Sequence, residues 1–172
     1  MLEDSKQIVV VGAGIGGLTT ALCLKHFGLN ASVYERSNEV TTAGAGIQLS
    51  PNANRVFSYL GLFDEVSALS RRCKGIKVFD YKSNSQLALF DYMKFKQDAA
   101  FLFCHRADLV GILYAACKKL KSPVHFDKKL EKIKNGEVIF SDGNVYSADI
   151  IVGADGLHSN VRKAVIDEET PI

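Results

Sequence analysis

Ile8-Val9-Val10-Val11-Gly12-Ala13-Gly14-Ile15-Gly16-Gly17 is a short β-branched run that opens directly into glycines at positions 12, 14 and 17. Each glycine at this spacing has its own task. The first lets a strand turn sharply, the second lets the backbone come close to a pyrophosphate, and the third lets the following helix lie tightly on the sheet. An ordinary strand-turn-helix corner would also use such glycines, so the flanks decide. Residues 8–11 favour a strand, and Leu18–Phe27 favours a helix closed by Gly28 in the usual place for a left-handed cap. Ala31–Tyr34 then reads as a second strand, and Glu35 follows about 20 residues beyond the turn, where a carboxylate accepts ribose hydroxyls. The segment is a β-α-β dinucleotide-binding unit.

A carboxylate at position 35 repels a 2′-phosphate, so the unit is expected to hold FAD or NAD rather than NADP. Arg36 beside it, a surface charge able to stack on an adenine edge, fits either cofactor.

Composition narrows the partner. The 172 residues are 47% hydrophobic, enough to bury one sizeable core, and the net charge of +2 gives no electrostatic argument for nucleic acid or an anionic membrane. A small-molecule partner is expected. Four cysteines, at positions 23, 73, 104 and 117, form no C-x-x-C pair or zinc-type spacing, so they read as reduced core residues and no metal site is expected. No run reaches the roughly 18 apolar residues needed to span a bilayer, and the N-terminus carries no basic flank before an apolar stretch, so a cytoplasmic location is expected.

Further along, Thr41–Ala53 reads as a loop by its Gly, Thr, Ser and Asn content, with Ser50 capping a helix that starts at Pro51, carries Ala53, Val56, Phe57 and Leu60 on one face, and ends at Gly61. Gly75–Tyr81 and Gln86–Phe90 read as a hairpin across residues 82–85. Phe101–Cys104 reads as a strand before a helix over Arg106–Lys119, whose stripe Leu109, Leu113, Ala116, Cys117 and Leu120 is core packing. Val124–Phe126, Leu130–Lys134, Val138–Phe140 and Val145–Tyr146 read as successive strands of a β-meander. Asp149–Val152 is an apolar strand running into a second glycine corner, Gly153-Ala154-Asp155-Gly156, with Ser159 and Arg162 in the helix beyond.

Three elements now stand in order: the first turn with Glu35, the loop Gly44-Ala45-Gly46-Ile47-Gln48-Leu49-Ser50-Pro51-Asn52-Ala53, and Gly153-Ala154-Asp155-Gly156-x-x-Ser159-x-x-Arg162. This order resembles the N-terminal part of the single-component FAD-dependent aromatic-ring monooxygenases, the salicylate hydroxylase-like and ubiquinone-biosynthesis hydroxylase-like branches, over essentially the whole chain. The resemblance implies an α/β fold: a Rossmann-like FAD-binding domain over residues 1–172 with a parallel sheet, a small antiparallel β-meander, and the start of a substrate-domain sheet at 75–103. It implies FAD as cofactor, NADH or NADPH as transient electron donor, and an aromatic or phenolic small molecule with O2 as reactants. Cofactor-binding positions carried over are Gly12, Ala13, Gly14, Ile15, Gly16, Gly17, Glu35, Arg36, Gly46, Arg106, Leu130 and Asp155. Arg106 would approach the pyrophosphate, the Leu130 backbone would face the adenine, and Asp155 would serve both FAD binding and docking of the nicotinamide. A helix-surface arginine, a plain strand residue and a helix-capping aspartate are the structural readings of the same three residues. None of the histidines, at 26, 105, 125 and 158, is assigned a catalytic role, and the catalytic residues stay unassigned.

The later Gly-Asp-Ala-Ala-His segment of that family has no counterpart here, as the chain holds no Gly-Asp pair. The expectation is therefore of weak or absent flavin and no coupled hydroxylation by these 172 residues alone. The alternatives are a non-hydroxylating flavoprotein oxidoreductase and a nucleotide-binding module without independent activity. An incompletely covered apolar sheet also favours a homo-oligomer.

Overall fold

The computed structural model describes residues 6–40, 44–94 and 100–166, and the chain divides into two compact units, residues 1–42 with 110–172 and residues 43–109.

The first unit is built on a parallel sheet. Strand β1 (Ile8–Val11) runs into helix α1 (Ile15–His26), and β2 (Ala31–Tyr34) returns beside β1, pairing Val10 with Val33. Phe27 and Gly28 end the helix as expected, with Gly28 at φ +77° and its N–H donating to the Lys25 carbonyl. Because strand side chains alternate, Val10 and Val33, both fully buried, point opposite to Val9 and Val11. The latter two join Tyr34, Leu130, Val138, Phe140 and Val161 in one apolar cluster. On the α1 side, Leu18, Ala21 and Leu22 are buried, and the Cys117 thiol lies 3.8 Å from the Leu18 carbonyl. Burial raises that thiol's pKa to about 11.

Strands β9 (Leu130–Lys134), β10 (Glu137–Phe140) and β11 (Val145–Ser147) form the meander. Val124–Phe126 is not its first strand, contrary to the sequence reading: Val124–His125 pairs in parallel with β2 at the edge of the main sheet. Local alternation cannot tell a parallel edge from a meander strand, because both are short apolar runs bounded by turns. The other edge is Ile150–Gly153, parallel to β1. Tyr34 lies between the layers, stacked on Phe140 with ring centroids 4.9 Å apart, and burial, helped by Tyr146, raises its phenol pKa.

In the second unit the region expected to be loop contains strand β3 (Gly46–Leu49), which is a correction. It pairs antiparallel with the strand Leu102–His105, and Arg71–Arg72 pairs on that strand's far side. The Gly/Ser/Asn composition hid the alternation Ile47, Leu49, of which only Leu49 is buried. Helix α2 (Pro51–Tyr59) follows Ser50, whose hydroxyl bonds the Asn52 side chain and makes no capping bond to the helix backbone, contrary to the expected cap, and it buries Asn54 and Phe57 while Val56 is exposed. Phe63–Ala68, not foreseen, adds one short helix. Gly75–Phe79 and Gln86–Asp91 form the expected hairpin, two strands with no third partner among the described residues. The helix Arg106–Lys119 starts in this unit.

Candidate cofactor site

Gly12 leaves β1 with φ +104°, and a Cβ there would stand 2.4 Å from the Ala154 carbonyl oxygen. Only glycine permits both the dihedral and the contact. A Cβ on Gly17 would come within 1.8 Å of the Gly12 carbonyl oxygen and 3.4 Å of the Ala154 Cβ. The two glycine corners, well over a hundred residues apart in sequence, are thus locked into one another, a link completed by the Ala154 N–H donating to Val11. Gly14 and Gly16 behave differently: a Cβ on either meets nothing within 4 Å. The space above the turn is open, and the first intrahelical bond runs from the Leu18 N–H to the Gly14 carbonyl. The N–H groups of Ile15 and Gly16 precede that ladder and carry the positive end of a 12-residue helix toward the open space, which suits a phosphate. The residues fit the pyrophosphate of a dinucleotide.

Glu35 closes the side of this turn. Its Oε2 accepts the Ala13 N–H at 2.7 Å and its Oε1 accepts the Ser37 N–H at 3.0 Å. Arg36 next to it is exposed. Asp155 is held at the second corner, with Oδ1 accepting the Ser159 hydroxyl at 2.6 Å and Oδ2 accepting the N–H groups of Asn160 and Val161 at 2.7 and 3.2 Å. Ser159 in turn caps the helix α5 (Asn160–Val165) by accepting the Arg162 N–H, so it stands just before that helix rather than in it. The Arg162 guanidinium donates to the Leu157 carbonyl. Leu130 is buried, and its carbonyl accepts the Asn160 side-chain amide at 3.0 Å. Asn160, which joins the second corner to β9, was missed in the sequence; an Asn directly after a capping Ser was its one visible signal.

Gly46 and Arg106 belong to the second unit. Gly46 is exposed in β3, paired with His105. Arg106 opens its helix with an exposed side chain, while its N–H donates to the Ala45 carbonyl at 3.2 Å. A Cβ on Gly44 would stand 2.9 Å from the Arg106 Cβ, so the loop runs directly over the start of that helix. Among the described residues no three His, Cys, Asp or Glu side chains gather as a metal site, and no helix is long and apolar enough to cross a membrane.

The sequence matches the FAD binding domain family over residues 5–169. The chain belongs to that family. Similar proteins include the 3-amino-4-hydroxybenzoate 2-monooxygenase of Streptomyces cremeus, 34% identical over 96% of this chain and 43% of its own length. The 6-hydroxynicotinate 3-monooxygenase of Bordetella bronchiseptica is 30% identical over 99% of this chain and 46% of its own. A solved structure of a 2-methyl-3-hydroxypyridine-5-carboxylic acid oxygenase superposes with a TM-score of 0.82 at 28% identity, covering 93% of this chain and 42% of that one. The chain therefore spans less than half the length of these relatives. An α/β FAD-binding fold with a parallel sheet and antiparallel strands is the architecture they share with it, and FAD is the family's cofactor.

Proposed function

We propose that residues 1–172 are the FAD-binding part of an NAD(P)H-dependent monooxygenase that hydroxylates an aromatic or phenolic small molecule with O2. The supporting observation is the pair of interlocked glycine corners beneath the open space over Gly14 and Gly16. Gly12, Ala13, Gly14, Ile15, Gly16 and Gly17 supply the turn for the ADP half, with Glu35 and Arg36 at its ribose and adenine side. The backbone at Leu130 and the corner at Asp155 frame the same half, and Gly46 and Arg106, which belong to the second unit, are proposed as further cofactor-binding positions from the family resemblance. When bound, the flavin supplies the redox chemistry, taking electrons from NADH or NADPH and passing oxygen to the ring. The chain's own part is to orient the cofactor and keep water away from it.

The names of three relatives narrow the substrate class: 3-amino-4-hydroxybenzoate, 6-hydroxynicotinate and 3-hydroxybenzoate are all hydroxylated aromatic carboxylates. Of residues 75–103, the hairpin Gly75–Phe79 with Gln86–Asp91 is proposed to begin the substrate-side sheet, a role consistent with its exposure of Leu87, Leu89 and Phe90 at 65%, 53% and 54%, whereas Leu102–His105 pairs with β3 in a separate sheet. A related oxygenase has a tetrameric form, and homo-oligomerisation is proposed here too. A cytoplasmic location accords with the four free cysteines.

Titration of the purified chain with FAD, ADP and FMN, read by flavin fluorescence, tests this reading. Any FAD binding is weak and ADP competes with it, whereas FMN, lacking the adenylate, does not. Competition by FMN but not ADP would overturn the placement of the ADP half on the glycine turn. These 172 residues alone are expected not to couple NADH or NADPH consumption to a hydroxylated aromatic carboxylate, and such consumption by the flavin-loaded chain would show that this span suffices for the reaction.

A further inference from the structure

Glu35 is tied down at four points. Its backbone N–H donates to the His125 carbonyl at 2.8 Å, and its own carbonyl accepts the Lys128 N–H at 2.7 Å. Its carboxylate takes the N–H groups of Ala13 and Ser37, one on each oxygen. The residue therefore joins three segments: the glycine turn, the end of β2, and the chain between Val124–His125 and β9.

We propose that Glu35 is a positioning residue for the glycine turn, shaping the phosphate cradle through the Ala13 N–H independently of any contact with ribose hydroxyls. The proposal rests on the reading that the ADP half sits on this turn. Ala13 is the residue between the two glycines that turn the chain and approach the ligand, so fixing its N–H sideways sets the direction in which the following N–H groups point. It also takes the Ala13 N–H out of the cradle and leaves phosphate to Ile15 and Gly16. Each carboxylate oxygen has two lone pairs and spends one on these backbone bonds, so hydroxyls can still be accepted. The two roles coexist on one side chain and separate in a cycle.

The experiment combines Glu35→Ala and Glu35→Gln with two probes, ADP and 2′,3′-dideoxy-ADP. The alanine loses both backbone bonds. The glutamine keeps an acceptor for one N–H but turns its own N–H2 group toward the other. The alanine change weakens ADP by about tenfold or more, the loss expected for charge-assisted bonds, and also weakens the dideoxy compound, by the part of that factor that does not pass through the hydroxyls; glutamine gives an intermediate loss with both. A defect that vanishes with the dideoxy probe would show that Glu35 acts through the hydroxyls alone and would overturn the proposal. Amide hydrogen exchange on the ligand-free protein gives a second readout: Ala13 and Ser37 are protected in the wild type and lose protection in Glu35→Ala, while Val9 and Val10 in β1 keep theirs. Fast exchange at Ala13 in the wild type would equally overturn it. If the wild type binds neither nucleotide, the placement of ADP fails, and the exchange pattern still decides the role of Glu35.

Discussion

Around the glycine corners of the first unit, polar groups find nearby partners, mostly in the backbone: Glu35 in the N–H groups of Ala13 and Ser37, Asp155 in the N–H groups of Asn160 and Val161 and the Ser159 hydroxyl, and the Asn160 amide in the Leu130 carbonyl. The hairpin of the second unit instead carries Ile76, Val78, Phe79, Leu87, Leu89 and Phe90, each at least 40% exposed. One region is finished within itself, and the other is an apolar ribbon of two strands, a form that is marginal in water without further packing. The contrast separates two kinds of sequence signal. The polar residues of the glycine corners are satisfied locally, whereas the hairpin strands are apolar on both faces and take their meaning from what covers them.

The contrast breaks most sharply at glycine. Gly17→Ala drives a methyl group into the Gly12 carbonyl and is expected to cost more than about 3 kcal/mol, or to prevent folding. Gly14→Ala places its methyl in open space at φ −76°, an ordinary value, so unfolding in urea shifts by less than about 1 kcal/mol. Nucleotide binding is lost in both. If Gly14→Ala binds FAD normally, the open space is not the phosphate site.

The same truncation made in each unit gives the next effect. Leu113 is fully buried in the first unit, and Leu113→Ala should cost about 2–5 kcal/mol. Leu89 is 53% exposed, and Leu89→Ala should cost under about 1 kcal/mol in this chain. Chemical denaturation of both variants measures the difference. A cost at Leu89 matching that at Leu113 would mean that the hairpin is already covered in solution, for instance by a second copy.

Much of this was legible in the sequence because the chemistry is local. A glycine with positive φ, a carboxylate at a strand end and a helix that needs a cap announce themselves within a few residues: Gly12, Gly28, Glu35 and the Asp155–Ser159 pair were all visible in this way. What stayed hidden depended on distant partners. Val124–His125 belongs to the parallel sheet only because β2 lies beside it, and β3 is a strand only because Leu102–His105 pairs with it across more than fifty residues. Gly12 looked as though it were conformationally required. That it is also pressed by Ala154 needed the fold.

The smallest effect tests how far the first unit's polar closure extends to its surface. Lys128 holds Asp142 across the turn between β10 and β11, and this hydrogen bond, with those from Asn144, lowers the carboxylate to about 2 from an ordinary 3.8. Because the folded value is the lower one, the pair's contribution is present above about pH 4 and fades as pH falls toward 2. The lysine is shifted the opposite way, raised by Asp142, so its share is complete below its ordinary value and is lost only as pH rises past the folded one. Between these limits the contribution should be flat with pH. The side chains are partly covered but their charged ends reach solvent, so the gain is small and salt-sensitive. Asp142→Asn should therefore melt slightly below the wild type near pH 7 in dilute buffer. The gap should close both near pH 2 and in 1 M salt, because protonation and screening remove the same attraction. A gap that survives high salt would mean that Asp142 acts through the Asn144 turn rather than through the lysine, making this loop as self-contained as the glycine corners.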